Sequence, residues 1–201
     1  DEIIKLAKPT IQKSYAIEYY QYLSNYHIYK VDTAIYYLQL ALTEAKIQKN
    51  QDKISALYTN IGRILGNRHA KYDEAILYLD TAKVICKKYS YLKTLNNIHT
   101  ILGTFYHKKN YYDKALKEIN AALLIQQKIK DPYIFIAMNA QASVFASLNK
   151  HEDAIKYYKE AINYGFKYNE QPRMPIIFQN IGSTYARINL LDSAKHYYLK
   201  G

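Results

Sequence analysis

Apolar residues recur along this chain at helical spacing, in runs such as Ala75, Ile76, Leu79, Ala82 and Ala115, Leu116, Ile119, Ala122, with polar residues filling the other positions. The pattern predicts helices near 10–27, 30–49, 52–67, 71–89, 91–108, 111–129, 132–148, 151–169, 173–188 and 191–200. Residues 1–8 fall at the phase that closes a helix, and read as the end of a preceding one.

The helices come in pairs, because a short signature recurs. An aromatic, aliphatic or His residue is followed by an acid, then any residue, then Ala: Val31-Asp32-Thr33-Ala34, Tyr72-Asp73-Glu74-Ala75, Tyr112-Asp113-Lys114-Ala115, His151-Glu152-Asp153-Ala154 and Leu191-Asp192-Ser193-Ala194. The alanines are 41, 40, 39 and 40 residues apart. Seven residues after each stands another small residue, Ala41, Ala82, Ala122, Ala161 and Gly201; upstream stand Gly62, Gly103, Ala142 and Gly182, with Tyr22 the exception. Small residues let two helices approach closely, so they mark the crossing in each hairpin. The acid is expected to cap the second helix and meet the positive end of its dipole. Lys46 and Lys49, Lys87 and Lys88, Lys128 and Lys130, and Lys167 close those helices where cations are favoured. Asp131-Pro132 and the Pro172/Pro175 pair open the helices that follow. The reading is an all-α solenoid of five helix-turn-helix repeats, approximately 10–49, 52–89, 91–129, 132–169 and 173–201, forming one array over residues 1–201. Stacked hairpins share a core that no isolated one can bury.

Composition narrows the field. With 49% hydrophobic and 22% charged residues the chain is globular, and 6 Gly with 4 Pro are too few for a loop-rich sandwich or barrel. No apolar run approaches the ~18 residues of a membrane span. A lone cysteine, Cys86, excludes an internal disulfide framework and a Cys-based zinc site, and leaves the compartment open. The six histidines show no ligand spacing, and no phosphate loop, nucleophile elbow or paired-acid signature is present; no metal, cofactor or enzymatic activity is expected. The 24 tyrosines, with abundant Lys, Asn and Ile, would follow from an AT-rich genome, which also competes with acidic partners as the source of the net charge of +11. Starting at Asp1 and stopping at Gly201 within a helical pattern, the sequence reads as a fragment of a larger protein.

Leu102-Gly103-Thr104-Phe105-Tyr106 with Ala115, Ile119 and Ala122, and again Phe178, Ile181-Gly182, Tyr185, Ala194 and Tyr198, resemble the pattern of the tetratricopeptide repeats. The period of ~40 exceeds the usual 34, and resembles the longer repeats of kinesin light chain and many bacterial signalling proteins. The resemblance implies a right-handed superhelix whose first helices line a concave groove for a peptide or protein segment, and it implies no chemistry. It also implies the sensor or docking region of a larger bacterial regulatory protein.

In that frame the groove residues are Thr59, Asn60 and Arg63; Thr100, Thr104, His107 and Lys108; Asn139 and Ser143; and Gln179, Asn180, Ser183 and Arg187. Their amides and hydroxyls both donate and accept, which suits an extended peptide backbone. Phe105, Tyr106, Met138 and Phe145 are expected to lie buried behind this floor. Lys and Asn do not recur at the successive positions that an acidic-tail clamp needs. Tyr15, Tyr19, Tyr22, Tyr26 and Tyr29 share one helix face, for which packing against helix two is favoured over a recognition surface or a seam to a preceding repeat. Tyr37, Tyr78, Tyr157 and Tyr197, three residues after the signature Ala, read as structural. Residues 75–130 carry ten Lys/Arg against three acids, so a basic array binding nucleic acid or another polyanion is the alternative, disfavoured because several lysines have helix-end roles and no base-reading motif accompanies them.

Overall fold

A computed structural model describes residues 15–168 and 174–201. The segment 1–8, the start of the helix at 10–14 and Pro172 lie outside the described residues. Among those described there are ten helices and no strand: α1 (Ala16–Tyr26), α2 (Val31–Ile47), α3 (Gln51–His69), α4 (Tyr72–Tyr89), α5 (Leu92–Lys108), α6 (Tyr112–Ile129), α7 (Ile134–Ser147), α8 (His151–Lys167), α9 (Pro175–Arg187) and α10 (Leu191–Tyr198). The chain divides into two compact units, Asp1–Ile98 and His99–Gly201.

In the first unit α1 pairs with α2 and α3 with α4, and α2 packs on α3. Ala34, Ala41, Ala75 and Ala82 are fully buried at the crossings. Gly62 shows why the position is small: a Cβ there would stand 2.9 Å from the Ala75 carbonyl oxygen and 2.9 Å from Leu79 Cγ. The first hairpin departs from this scheme. Its turn spans 27–30 where the next spans 70–71, so the register of α1 differs, Leu23 and Ser24 turn inward, and Tyr22 stands outside. Four of the five tyrosines of the stripe are thereby corrected from a packing face to a surface, while Tyr19 is half-buried with its hydroxyl enclosed. Tyr15, Tyr22, Tyr26 and Tyr29 are 64, 64, 68 and 85% exposed, because the buried face of α1 runs through Ile17 and Leu23 instead.

In the second unit α7 pairs with α8 and α9 with α10, while α6 packs on α7 and α8 on α9. Its main core joins Phe135, Ala142, Ala154, Tyr158, Ala161, Met174, Ile177, Phe178, Ile181 and Ala194. The tyrosines three residues past the signature Ala are structural, as expected. Tyr157 stacks on Phe145 at 5.2 Å and Tyr197 on Tyr185 at 5.5 Å, and in the first unit Tyr37 stacks on His27 at 5.6 Å. Phe105 is fully buried, but Tyr106, Met138 and Phe145 are only half-buried, packed at the margins of the cores.

The helix ends correct one expectation. The N-caps of the second helices are Lys30, Lys71, Tyr111, Lys150 and Leu190, none with a side-chain capping bond. The acids Asp32, Asp73, Asp113, Glu152 and Asp192 sit inside the first turn and act through the helix dipole rather than as the cap itself. Asn50 is a true cap, its side chain accepting from the Lys53 N–H at 3.1 Å. Asp131 accepts from the Tyr133 N–H at 2.9 Å and turns the chain into α7, and Pro175 opens α9. The turns rely on left-handed residues without a single glycine: Lys49, Ala70, Ser90, Asn110, Lys130, Asn149 and Asn189. An L-residue there pays a steric cost that glycine avoids. Ala70 has neither glycine's freedom nor an amide to compensate, so Ala70→Gly should stabilise the protein by about 1 kcal/mol, read as a raised urea midpoint at constant m.

Candidate functional site

The second unit carries a polar cleft of ≈ 260 Å³ on its first helices. Five of the sequence-predicted residues line it, namely His107, Ser143, Asn180, Ser183 and Arg187. They reach it because one register recurs. His107 of α5 and Ser147 of α7 are 40 residues apart and joined Nε2 to Oγ at 2.8 Å. Asn139 of α7 and Asn180 of α9 are 41 apart, and the Asn180 amide donates to Asn139 Oδ1 at 3.0 Å. Hydrogen bonds thus link α5 to α7 and α7 to α9 along one face of the first helices.

The floor is a buried tyrosine. Tyr158 rises from α8 with its ring in the core and its hydroxyl 3.0 Å from Ser143 Oγ. Burial pushes its phenol above the usual range, against the opposing pull of bonds to Ser143 and Thr184 and of the Arg187 charge, so it stays neutral. Thr184 is buried beside it.

Several hydroxyls have less to offer than their composition suggests. Thr104, Ser143 and Thr184 bond the carbonyls of Thr100, Asn139 and Asn180, four residues back, at 2.9–3.0 Å. Their protons are engaged on their own helices, so toward a partner they act as acceptors. Ser183 differs: its oxygen accepts from the Tyr198 hydroxyl at 3.1 Å, which leaves its own proton to donate. Arg187 is exposed and forms no ion pair among the described residues. Helices α7 and α9 carry no carboxylate, and neither does α5, so the face presents one strong cation and a set of neutral donors and acceptors.

Burial holds the His107 imidazole below its ordinary value of 6.5. The unfolded chain therefore takes up that proton first as the medium is acidified. The stability tied to neutral His107 is present above pH 6.5 and is lost as pH falls from there toward the lowered value. His107→Gln should flatten this part of the stability-versus-pH curve, measured by urea unfolding from pH 7.5 to about 5.

The remaining predicted residues lie elsewhere. Thr100, Thr104, Lys108 and Gln179 do not line the cleft, and Asn139 touches it through Asn180. In the first unit Asn60 and Arg63 are half-buried, with Arg63 Nη2 3.5 Å from Asn60 Oδ1. Thr59 is corrected: it is buried, and its hydroxyl is spent on the Ser55 carbonyl at 2.8 Å. Sequence reasoning missed Ser147, Tyr158 and Thr184. Each had a signal, since Ser147 repeats the register of His107, Thr184 occupies the register of Phe105 and Val144, and Tyr158 that of Leu79 and Ile119.

The basic residues do not form one free ridge. In the first unit Lys83 pairs with Asp80 at 2.8 Å and Lys88 lies over Tyr89. In the second, Lys114 lies over Tyr106 and Tyr111, and Lys109 over Tyr111. No helix among the described residues is long and apolar enough to cross a membrane.

A chain of two-helix units in a fixed register, with a polar face on the first helices, defines a helical-repeat protein. Residues 94–164 match the tetratricopeptide-repeat family model. No curated protein matches the sequence. Among solved structures it is similar to aspartyl phosphate phosphatase F from Bacillus subtilis, at TM-score 0.83 and 18% identity over 98% of this chain and 53% of that one. It is likewise similar to a Rap protein complexed with competence and sporulation factor, at TM-score 0.83 and 17% identity over 100% of this chain and 56% of that one. A signal-transduction ATPase with a tetratricopeptide repeat sensor, from Pyrococcus horikoshii, aligns at TM-score 0.76 and 18% identity over 98% of this chain and 31% of its own. The chain therefore spans about half the length, or less, of these three structures.

Proposed function

We propose that this chain is one repeat array that binds an extended polypeptide segment in the first-helix cleft of its second unit, and that it acts by binding rather than catalysis. The observation that carries this is the hydrogen-bonded Asn139–Asn180 pair, flanked by Ser183 and Arg187. Paired amides from successive repeats offer donors and acceptors at the spacing of helix rows, which suits a peptide main chain. The acid-free helices α5, α7 and α9 favour a segment rich in acceptors. A role as the sensor or docking region of a larger bacterial regulatory protein is in keeping with the similarity to a Rap protein complexed with a sporulation factor and to an ATPase with a repeat sensor.

Selection of a random peptide library on the whole chain tests the reading. Enriched peptides should bind Asn180→Ala about 5- to 10-fold more weakly, the loss of one desolvated hydrogen bond of about 1 kcal/mol or more, while urea stability changes little. Equal binding by Asn180→Ala and Arg187→Ala would exclude this cleft. Saturable binding to random duplex DNA instead, with log affinity falling steeply in log salt, would restore the polyanion alternative.

A further inference from the structure

The second unit has another concavity, away from the cleft, where three helix ends meet. Gln126, Gln127, Lys130 and Asp131 close α6, Ile134 opens α7, and Tyr164 and Tyr168 close α8 around a notch of ≈ 220 Å³. Its anomaly is Gln126. At the same register the other second helices carry Ala45, Cys86 and Gly165, all small and buried. Gln126 is 96% buried (4% exposed), and its Oε1 has no hydrogen-bond partner among the described residues. A desolvated, unpartnered amide oxygen where the repeat needs only a small apolar residue weakens the fold. Such a group is better explained by a donor that arrives from outside the chain.

The rest of the lining says what that donor is attached to. Asp131 has one oxygen engaged with the Tyr133 N–H at 2.9 Å, leaving the other as an acceptor. Lys130, held in the left-handed conformation at φ 52°, adds a cation beside it. Neither Lys130 nor Asp131 forms an ion pair among the described residues. Tyr164 and Tyr168 present rings 6.3 Å apart and 18° from parallel, and Ile134 completes the apolar wall. Beside the Gln127 amide, the notch thus holds two acceptors, one cation and an apolar face within a space the size of a single amino acid.

We propose that this notch binds a free α-amino acid with an apolar or aromatic side chain. The ammonium group donates to Gln126 Oε1 and the Asp131 carboxylate, the carboxylate pairs with Lys130, and the side chain lies against Tyr164, Tyr168 and Ile134. The amide oxygen that is unpartnered among the described residues then has its donor.

The test is calorimetric titration of the chain with each common L-amino acid, and with the N-acetyl and C-amide derivatives of the best binder. One or a few amino acids should bind saturably, and blocking either end should weaken binding about 10-fold or more. Gln126→Ala should lose the same factor while its melting temperature stays level or rises, because it restores the small residue of the register. Lys130→Gly, which suits the left-handed turn, should lose binding and keep the fold, and serves if Gln126→Ala does not. No saturable binding by any amino acid up to about 10 mM would overturn the proposal. So would unchanged affinity in folded Gln126→Ala and Lys130→Gly, or an N-acetyl derivative that binds as well as its parent.

Discussion

Phe105→Ala should cost the protein about 3–5 kcal/mol, the range for deleting a fully buried aromatic ring. Phe105 lies in α5 with no accessible surface and is among the largest side chains so enclosed. The cost has two parts: the lost transfer energy of the ring, and a cavity that neighbouring helices cannot close without moving their own small-residue crossings. Gly103, two residues earlier, already leaves no slack, since a Cβ there would be 2.6 Å from Ile119 Cγ1. The loss appears as a lower urea midpoint, with faster amide exchange in α5 and α6. Phe145→Ala gives the contrast. Phe145 is half-buried and stacked on Tyr157, so its loss should be clearly smaller, nearer 2 kcal/mol.

The helices were legible because two independent signals agree at each end. The period near 40 residues locates every hairpin, and the Lys-rich ends and Asp-Pro or Pro starts set the limits. The described helices from α2 onward begin and end within two residues of the positions read from sequence. Failures occur where the period alone was trusted. Tyr22 was aligned by counting back from Ala34, which cannot register the longer turn at 27–30. The acid of the signature was read as a cap, yet helix geometry begins one residue earlier. Asp32 therefore lies inside the first turn, and Lys30 takes the boundary.

The cleft was half legible, for a chemical reason. Repeat phase says which residues face a first-helix surface, and His107, Ser143, Asn180, Ser183 and Arg187 meet there. Phase does not say whether a hydroxyl is free. A Ser or Thr within a helix can bond the carbonyl four residues back, as Thr59, Thr104, Ser143 and Thr184 do, and this choice is invisible in composition. Nor does phase give depth. Thr59 occupies a polar position yet is buried. Polar residues at apolar registers carry more information than polar residues on polar faces. Thr184, Tyr158 and Gln126 are three such cases, and each lines a concavity of the second unit.

Gly62→Leu should be the most damaging single change in the first unit. Alanine would already set a Cβ 2.9 Å from the Ala75 carbonyl oxygen and 2.9 Å from Leu79 Cγ. The carbonyl belongs to the backbone of α4 and cannot rotate away, while Leu79 is itself fully buried. A leucine has no rotamer that avoids α4, so the two helices must separate and uncover Ala75, Leu79 and Ala82. The better helix propensity of leucine returns less than about 1 kcal/mol. Overpacking typically costs 1–3 kcal/mol, and separation of the hairpin adds the apolar burial lost at the crossing, for a total of about 3 kcal/mol or more. Thr81→Leu on the exposed face of α4 is the control, expected within about 0.5 kcal/mol of the parent. Urea unfolding of both variants separates the two contributions: a loss in Gly62→Leu with none in Thr81→Leu places the cost in the crossing, whereas equal losses would mean that the hairpin does not depend on close approach at Gly62.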